Sequence, residues 1–406
     1  MSNYIEVVGM EVRKIDNLNS KILYTFNVNN KLYTLLYKIC GFKDLEPNEY
    51  KYKIDSFIIT FLIHAMRKRY SFKSRIPISV KLYYHLVYHI MPQIYRCNMN
   101  ETSIIEVDCP LCNDKNIIAG KYVGTGLSCG VDSLATIYEY TDLMPIKEYK
   151  LTHVFYNKVG AHDGQIGKYD EKIENSLFNE QLLKAKTVSN ALGLPLIVVD
   201  TNLNEVLSEI FGFSGYEQTH TLRNIGTILL FQQYFNKYYY ADTYSLDQFA
   251  VNVNSDMAHY EKWLLPLLSN EYISFYSANR AMNRIEKTLL ITNFELSYDN
   301  LLVCWLSGEN CGKCDKCIRT QVTLDLLGKF NLYKESFDIC NYRKHKQFYF
   351  AKIVCDRHRN YFYNEIYNYM VEKNIKLPSI FRLFNFRTVQ LYSRIKRKLL
   401  YFFMNN

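Results

Sequence analysis

The chain has 406 residues, of which 48% are hydrophobic and 22% are charged, a balance that is typical of globular proteins and excludes a disordered or fibrous one. Its length predicts two or three domains. The formal net charge is +9, and residues 381–406 hold six basic residues and no acidic one, so the excess is a basic tail on a nearly neutral body.

The amino terminus predicts a cytoplasmic protein. "MSNYIEVVGMEVRK" lacks the basic segment and apolar stretch of a secretory signal. The apolar run "FIITFLIHAM" is interrupted by His64 and is shorter than the roughly 20 residues of a membrane span. The 11 cysteines are an odd number, which favours free or metal-bound thiols in a reducing compartment over disulfides.

The first part of the chain predicts a small α+β domain over residues 1–118. Residues 20–38 read as two strands around an Asn-Asn turn. Apolar residues then recur at intervals of three and four, which predicts buried helices over 54–69 and 79–95.

Residues 119–332 alternate between strand-like and helix-like segments. The predicted strands are 151–157, 194–200 and 237–243, and the predicted helices are 179–193 and 219–235. This alternation predicts an α/β fold with a doubly wound parallel sheet, in which ligands bind beyond the carboxyl ends of the strands. Residues 333–406 predict a third region that is helical, aromatic and basic.

The stretch "GTGLSCGVDS", Gly124 to Ser133, lies between a predicted strand and a predicted helix. A dinucleotide-binding fingerprint would need a glycine where Cys129 stands, and a Walker A loop would need a lysine that the stretch lacks. One interpretation is an ordinary turn in which Ser128 or Asp132 caps the helix.

The residues of this loop favour a second interpretation. Ser128-Cys129-Gly130-Val131-Asp132-Ser133 resembles the S-G-G-x-D-S loop of the PP-loop superfamily, the N-type ATP pyrophosphatases. The resemblance implies that these six residues bind the pyrophosphate end of ATP, with Mg²⁺, and that AMP is transferred to a substrate oxygen. Cys129 replaces a glycine of that pattern, which reduces the freedom of the backbone.

Four cysteines near residue 310 predict a metal site. Cys304, Cys311, Cys314 and Cys317 have the spacing C-x6-C-x2-C-x2-C, which suits tetrahedral Zn²⁺; an iron–sulfur cluster and unligated thiols are the alternatives. A similar four-cysteine site follows the nucleotide domain in the 7-cyano-7-deazaguanine synthases of the PP-loop superfamily. The resemblance to them covers roughly 119–332. Cys109 and Cys112 form a second, isolated pair, for which a redox or structural role is favoured over half a metal site.

Other polar residues have both a functional and a plain interpretation. Arg223, near His220 at a predicted helix start, either binds a phosphate or carboxylate or is a surface arginine. Lys287, in "NRIEK" with Arg284 and Glu286, either neutralises the departing pyrophosphate or lies on an exposed helix. Two aspartates, Asp200 and Asp242, end predicted strands, where they serve either a site or a turn. Cys129 has no evident base to activate it as a nucleophile.

The resemblance to the PP-loop synthases implies an ATP-dependent ligase that forms a carbon–nitrogen bond. Asp132, Ser133, Arg223 and Lys287 are the predicted catalytic residues, and ATP, Mg²⁺ and Zn²⁺ are the expected cofactors. The expected acceptor is a small-molecule or peptide carboxylate. A tRNA-modifying PP-loop enzyme and a nucleotide-binding protein without turnover are the alternatives.

For the basic tail, "SRIKRKLLYFFMNN", the sequence leaves three interpretations open. Docking on the body of the protein is favoured over contact with an anionic membrane surface or with RNA.

Overall fold

A computed structural model describes residues 3–47, 52–112, 120–161, 170–212, 215–279, 281–388 and 390–391. The chain divides into two compact units, residues 1–281 and 282–406, and each is described by itself. Residues 393–406, for which the sequence predicts docking on the body, lie outside the described residues.

The first unit begins with an antiparallel meander of three strands, β1 (Asn3–Lys14), β2 (Asn19–Val28) and β3 (Lys31–Cys40). Asn29 and Asn30 join β2 to β3 with φ values of 52° and 63°, as a two-residue hairpin of type I′ requires. The predicted hairpin is therefore confirmed. The sequence analysis missed β1, whose pairing with β2 shifts register between Val7 and Gly9 and so breaks the alternation that marks a strand.

Short strands and helices follow the meander. They are α1 (Asp55–Lys68), β4 (Tyr70–Ser74), β5 (Ile78–Ser79), α2 (Val80–His85), α3 (Met91–Cys97), β6 (Val107–Asp108) and β7 (Leu111–Cys112). The predicted helix over 54–69 is confirmed as α1. The one predicted over 79–95 is also present, with a π-helical turn at Leu86–Ile90 between α2 and α3.

The rest of the first unit alternates strands and helices. The elements are β8 (Tyr122–Gly126), α4 (Val131–Tyr138), β9 (His153–Lys158), α5 (Glu171–Leu192), β10 (Leu196–Thr201), α6 (Leu203–Phe211), α7 (Tyr216–Leu229), β11 (Phe235–Ala241), α8 (Glu261–Leu267) and β12 (Ser274–Ala278). Five of the strands pair in parallel in the order β10-β9-β8-β11-β12. In chain order these are the third, second, first, fourth and fifth strands, an order compatible with a doubly wound sheet.

The meander extends the same sheet. β3 pairs antiparallel with β10, so that Cys40 lies opposite Val198, and β4 and β6 continue the sheet beyond β1. Among the described residues the sheet has ten strands and is mostly parallel. The predicted α/β class is therefore confirmed. The predicted domain boundaries near 118 and 332 stay predictions. Five described strands of the predicted accessory domain belong to this sheet, whereas β5 and β7 pair in a separate two-stranded sheet.

The core of the first unit depends on a close approach of α1 and α7. A Cβ atom at Gly226 of α7 would lie 2.1 Å from the Thr60 Oγ1 of α1 and 3.0 Å from the Ser56 carbonyl oxygen, so only glycine fits there. On the sheet side of α1, Phe57 and Phe61 stack with their ring centroids 4.5 Å apart. The sheet therefore has a closely packed helical layer on this face.

The described part of the second unit is helical. It contains α9 (Arg284–Ile291), α10 (Leu296–Asn300), α11 (Asp315–Leu326), α12 (Ile339–Asp356) and α13 (Tyr361–Glu372), followed by helical residues at 380–388 and 390–391. Helices beyond residue 333 were predicted and are confirmed. In the part of the chain that the structure describes, every helix is too short or too polar to cross a bilayer.

Candidate functional site

The loop 127–130 lies at the point where the strand order of the parallel sheet reverses. It follows the carboxyl end of β8, whose neighbours are β9 on one side and β11 on the other. The helices that leave neighbouring strands at such a point diverge and leave a crevice, which is where doubly wound sheets bind ligands. The sequence analysis predicted that the loop follows a strand and precedes a helix, and β8 and α4 confirm this; it did not predict the order of the strands.

Cys129 adopts the backbone conformation that a glycine would favour. Its φ is 58°, in the left-handed region that L-residues seldom occupy and glycine occupies freely. Gly130 then returns to an extended conformation and is the N-cap of α4, where no side chain caps the helix. Cys129 therefore occupies a backbone conformation for which glycine is the usual residue.

Ser133 holds the loop closed. Its hydroxyl donates to the Gly126 carbonyl oxygen at 2.9 Å and accepts from the Ser128 backbone N–H at 3.1 Å. Because Ser133 is buried, it positions the loop from within. Ser128 is exposed, and its hydroxyl lies 3.4 Å from the Gly130 nitrogen. Of the two predicted phosphate-binding serines, Ser128 is the one whose side chain faces outward.

An acidic and a basic residue lie near the loop. Asp132, in the first turn of α4, is half-buried. Burial raises the pKa of the Cys129 thiol to about 12, and the positive charge of Lys184 on α5 partly opposes this. The thiol is therefore protonated at neutral pH, so it is a poor nucleophile. Lys184 was not singled out from the sequence, because its proximity to the loop depends on how α5 packs.

Arg223 lies inside the protein, so its interpretation as a surface arginine is wrong. The side chain is completely buried. Its guanidinium donates to the Thr219 hydroxyl at 2.8 Å, to the Asn204 side-chain oxygen at 2.7 Å and to the Val159 carbonyl at 3.1 Å. Gly160 has a φ of 109°, and a Cβ atom there would lie 2.6 Å from this guanidinium. Arg223 thus fixes the chain where it leaves β9.

An ionic cluster that the sequence analysis missed adjoins Arg223 at the ends of β9 and β10; Lys158 and Glu174 are buried, and Asp200 is partly exposed. Lys158 Nζ lies 3.1 Å from Asp200 and 3.8 Å from Glu174. Glu174 also accepts from the Asn204 amide at 2.9 Å. Asp200 had been singled out as a strand-end aspartate, but Lys158 and Glu174 had not, since only the fold brings them together.

A second cluster lies at the ends of β11 and β12. Asp242, which follows β11, is fully buried and accepts from the Lys262 ammonium and the Ser277 hydroxyl. Glu261 is also buried and accepts from the Thr243 N–H at 2.9 Å. Burial, then the charge of Asp242, raises the pKa of Glu261 well above its usual value. These groups hold the ends of the strands together.

His220, on α7, contacts an aspartate and a tyrosine of the first unit. Its Nε2 lies 3.0 Å from Asp256 and its Nδ1 lies 3.1 Å from the Tyr240 hydroxyl. Burial raises the pKa of Asp256, but the hydrogen bond and charge of His220 outweigh burial and lower it overall. His220 therefore has an acceptor and a hydroxyl partner, as an orienting histidine would.

The predicted residue Lys287 lies in the second unit and is completely buried on α9. Its interpretation as part of an exposed helix face is therefore wrong. The helix begins with a capping box in which Asn283 and Glu286 bond each other's backbone N–H groups. The Glu286 side chain therefore caps the start of α9 by accepting from the Asn283 backbone N–H.

The four predicted metal ligands lie together in the second unit. The sulfur atoms of Cys304, Cys311, Cys314 and Cys317 all lie within 4.8 Å of one another. In the described part of the chain, this is the group of cysteine, histidine and acidic side chains whose geometry could hold a metal ion. Cys109 and Cys112 do not belong to it, and burial raises the pKa of Cys109 to about 12.

Backbone N–H groups point at three of these sulfurs. The N–H of Cys314 donates to the Cys311 sulfur at 3.3 Å, that of Cys317 to the Cys314 sulfur at 3.4 Å, and that of Leu306 to the Cys304 sulfur at 3.4 Å. Gly312, with a φ of 71°, makes the tight turn after Cys311. Donors of this kind stabilise thiolates, the form of cysteine that binds metal.

Asn310 braces the segment that carries the ligands. Its side-chain oxygen accepts from the Val303 N–H at 2.8 Å and the Cys304 N–H at 3.2 Å, and its amide donates to the carbonyls of Leu301 and Ser336.

The surroundings of Cys304 favour its thiolate. A hydrogen bond with Cys314 is the main cause that lowers the pKa of Cys304. The donor set, its spacing and its bracing fit a metal ion such as zinc.

Comparison of the chain with protein-family models, with curated proteins and with solved structures finds no match. The protein is therefore characterised by its own fold, loop and cysteine cluster rather than by a relative. It is a mostly parallel α/β protein with a small-residue loop at the switch point of its sheet and a four-cysteine cluster that could hold a metal ion.

Proposed function

We propose that the protein is an ATP-dependent ligase of the PP-loop type, which activates a carboxylate or amide oxygen as an AMP ester and releases pyrophosphate. The observation that carries this proposal is the left-handed conformation of Cys129 in a loop at the switch point of the sheet. The same loop leads into α4 with no side-chain cap, and such a helix start favours an anion.

The first chemical step makes a poor leaving group into a good one. The substrate oxygen attacks the α-phosphorus of ATP, and the bond from that phosphorus to the β-bridging oxygen breaks. Pyrophosphate leaves with the electron pair. A nitrogen nucleophile then adds to the activated carbon and displaces AMP, which leaves a carbon–nitrogen bond.

The loop holds the pyrophosphate end of ATP. Its backbone N–H groups at residues 130–133 and the exposed Ser128 hydroxyl contact the phosphates, while buried Ser133 keeps the loop in shape. Lys184 supplies positive charge beside the loop. When Mg²⁺ is bound it spreads the charge that develops on the phosphates, and Asp132 is the residue placed to orient it.

Arg223 has a positioning role in this proposal. Its bonds to the Val159 carbonyl and to Asn204 fix the end of β9, which flanks the loop. The catalytic role of Lys287 stays a prediction from the sequence, since this lysine is completely buried on α9 of the second unit. The four cysteines hold a structural zinc ion, since a closed all-sulfur set leaves no open position for catalysis.

ATP–pyrophosphate exchange tests the proposal. We expect exchange, and formation of AMP, when the protein and Mg²⁺·ATP are supplied with pools of carboxylate-bearing heterocycles, sugars and peptides. Asp132→Ala should lose exchange by at least about a hundredfold with an unchanged melting temperature. Asp142→Ala, an exposed acidic residue a few turns further along, is the matched control and should retain exchange. Equal exchange in both variants, or ATP binding without AMP from any pool, would reject the ligase.

A further inference from the structure

The described helical residues 380–388 and 390–391 of the second unit contact α12 through one face. Phe386 is buried, and its ring centroid lies 5.0 Å from that of Phe348 on α12. Gln390 donates to Asp356 at 3.1 Å. Arg387 donates to the Cys355 carbonyl. These contacts fix which side of the segment faces α12.

The opposite face is apolar and exposed. Ile380 is 86% exposed, Phe381 72%, Phe384 65% and Leu391 59%. At 100° per residue these four side chains fall within an arc of about 100° on a helix. Contiguous aliphatic and aromatic side chains at such exposure mark an interaction surface in a folded protein.

The chain around this face is strongly basic. From residue 373 to residue 406 the sequence holds eight basic residues and no acidic one. This segment therefore accounts for most of the net charge of +9 of the whole chain. Two of the eight are exposed near this face: Lys376 just precedes the helical segment, and Arg382 donates to the Gln347 side chain of α12. An apolar stripe in a strongly basic segment is the pattern of helices that lie in a membrane interface.

We infer that residues 376–388 and 390–391 form a docking surface for an anionic lipid bilayer. The apolar stripe enters the boundary between headgroups and acyl chains, and the basic residues meet the anionic headgroups. A second copy of the chain fits this surface poorly, because it would bring two strongly basic segments together. Single-stranded RNA would pair with the charge and stack on the phenylalanines but would leave Ile380 and Leu391 in water.

Vesicle sedimentation of the full chain tests the inference. We expect the protein to sediment with vesicles of phosphatidylcholine that contain about 30% phosphatidylserine, and to sediment much less with phosphatidylcholine alone or in about 0.5 M salt. The variant Ile380→Gln/Phe381→Gln/Phe384→Gln should reduce the partition coefficient at least about tenfold. Its melting temperature should not fall, because these side chains are exposed.

The matched control replaces three leucines of similar exposure elsewhere, Leu18→Gln/Leu32→Gln/Leu183→Gln, and should sediment like the wild type. Sedimentation that does not depend on phosphatidylserine would overturn the inference, and so would equal sedimentation of the two variants. One further combination of results would overturn the inference: the wild type does not bind vesicles, and the first variant loses a concentration-dependent dimer or the binding of single-stranded RNA.

Discussion

Residue 129 shows how a departure from a sequence pattern is accommodated. A left-handed conformation costs an L-residue about 1–2 kcal/mol, and Cys129 bears that cost with a small side chain that is 1% exposed. The thiol is protonated because burial raises its pKa to about 12. The residue thus serves the loop by its backbone rather than by sulfur chemistry.

Substitution of Cys129 should separate these two roles. Cys129→Gly should keep ATP affinity and change the free energy of unfolding by less than about 1 kcal/mol, since it relieves the strain but loses a buried group. Cys129→Val should lose at least about 1 kcal/mol, because β-branched residues tolerate the left-handed region poorly. Urea unfolding and ATP titration measure both effects. Cys40→Val, at an exposed strand position, is the control and should be neutral; a stable, active Cys129→Val would contradict the strained loop.

Glu261 predicts a pH dependence of stability. Its pKa is raised in the folded state, so the folded protein keeps a proton that the unfolded chain releases near the usual value of 4.5. The stabilisation that this proton gives is complete below about pH 4.5 and is lost as the pH rises toward the folded pKa. Glu261→Gln should therefore be more stable than wild type above about pH 6 and indistinguishable near pH 4. Thermal unfolding across this range checks it, and a larger gain at pH 4 would be the wrong sign.

At the scale of elements, the contact between α1 and α7 leaves no room at Gly226. Gly226→Ala places a methyl group 2.1 Å from Thr60 Oγ1 and should cost about 1–3 kcal/mol of unfolding free energy. Gly9→Ala is the control, because a Cβ atom there meets nothing within 4 Å. The double variant Gly226→Ala/Thr60→Ala should recover part of the loss. Equal stability of the two single variants in urea would show that the helices are not in this close contact.

The cysteine segment should depend on its metal. We expect about one zinc ion per chain by elemental analysis. Cys314→Ser should release it and lower the melting temperature by at least about 5 °C, because the binding free energy of a structural site contributes to folding. Cys340→Ser, an exposed cysteine on α12, should change neither. Iron in place of zinc, or a Cys314→Ser protein that keeps its metal, would refute the assignment.

Local signals explain which elements the sequence predicted. The Asn-Asn turn fixed the hairpin of β2 and β3, and the cysteine spacing predicted the cluster, because both depend on residues close together in the chain. The short strand β12 and the bulged strand β1 gave no clear alternation. The pairing of β3 with β10 and the contact of Lys158 with Glu174 depend on tertiary packing, which periodicity does not encode.

At the scale of the whole molecule, the α/β sheet places one loop at its switch point and the basic residues concentrate at the carboxyl end. The proposed nucleotide site and the proposed bilayer surface therefore lie in different parts of the chain. The two proposals rest on different residues, so either can fail without the other.

The central claim is that the loop 127–133 binds the pyrophosphate end of ATP. Calorimetric titration of the wild-type protein with ATP, AMP and pyrophosphate in the presence of Mg²⁺ tests it most directly. The account predicts that ATP binds at least about tenfold more tightly than AMP, that pyrophosphate alone competes with ATP, and that Cys129→Val weakens ATP and pyrophosphate alike. Equal affinities for ATP and AMP with no competition by pyrophosphate, or no nucleotide binding at all, would contradict it.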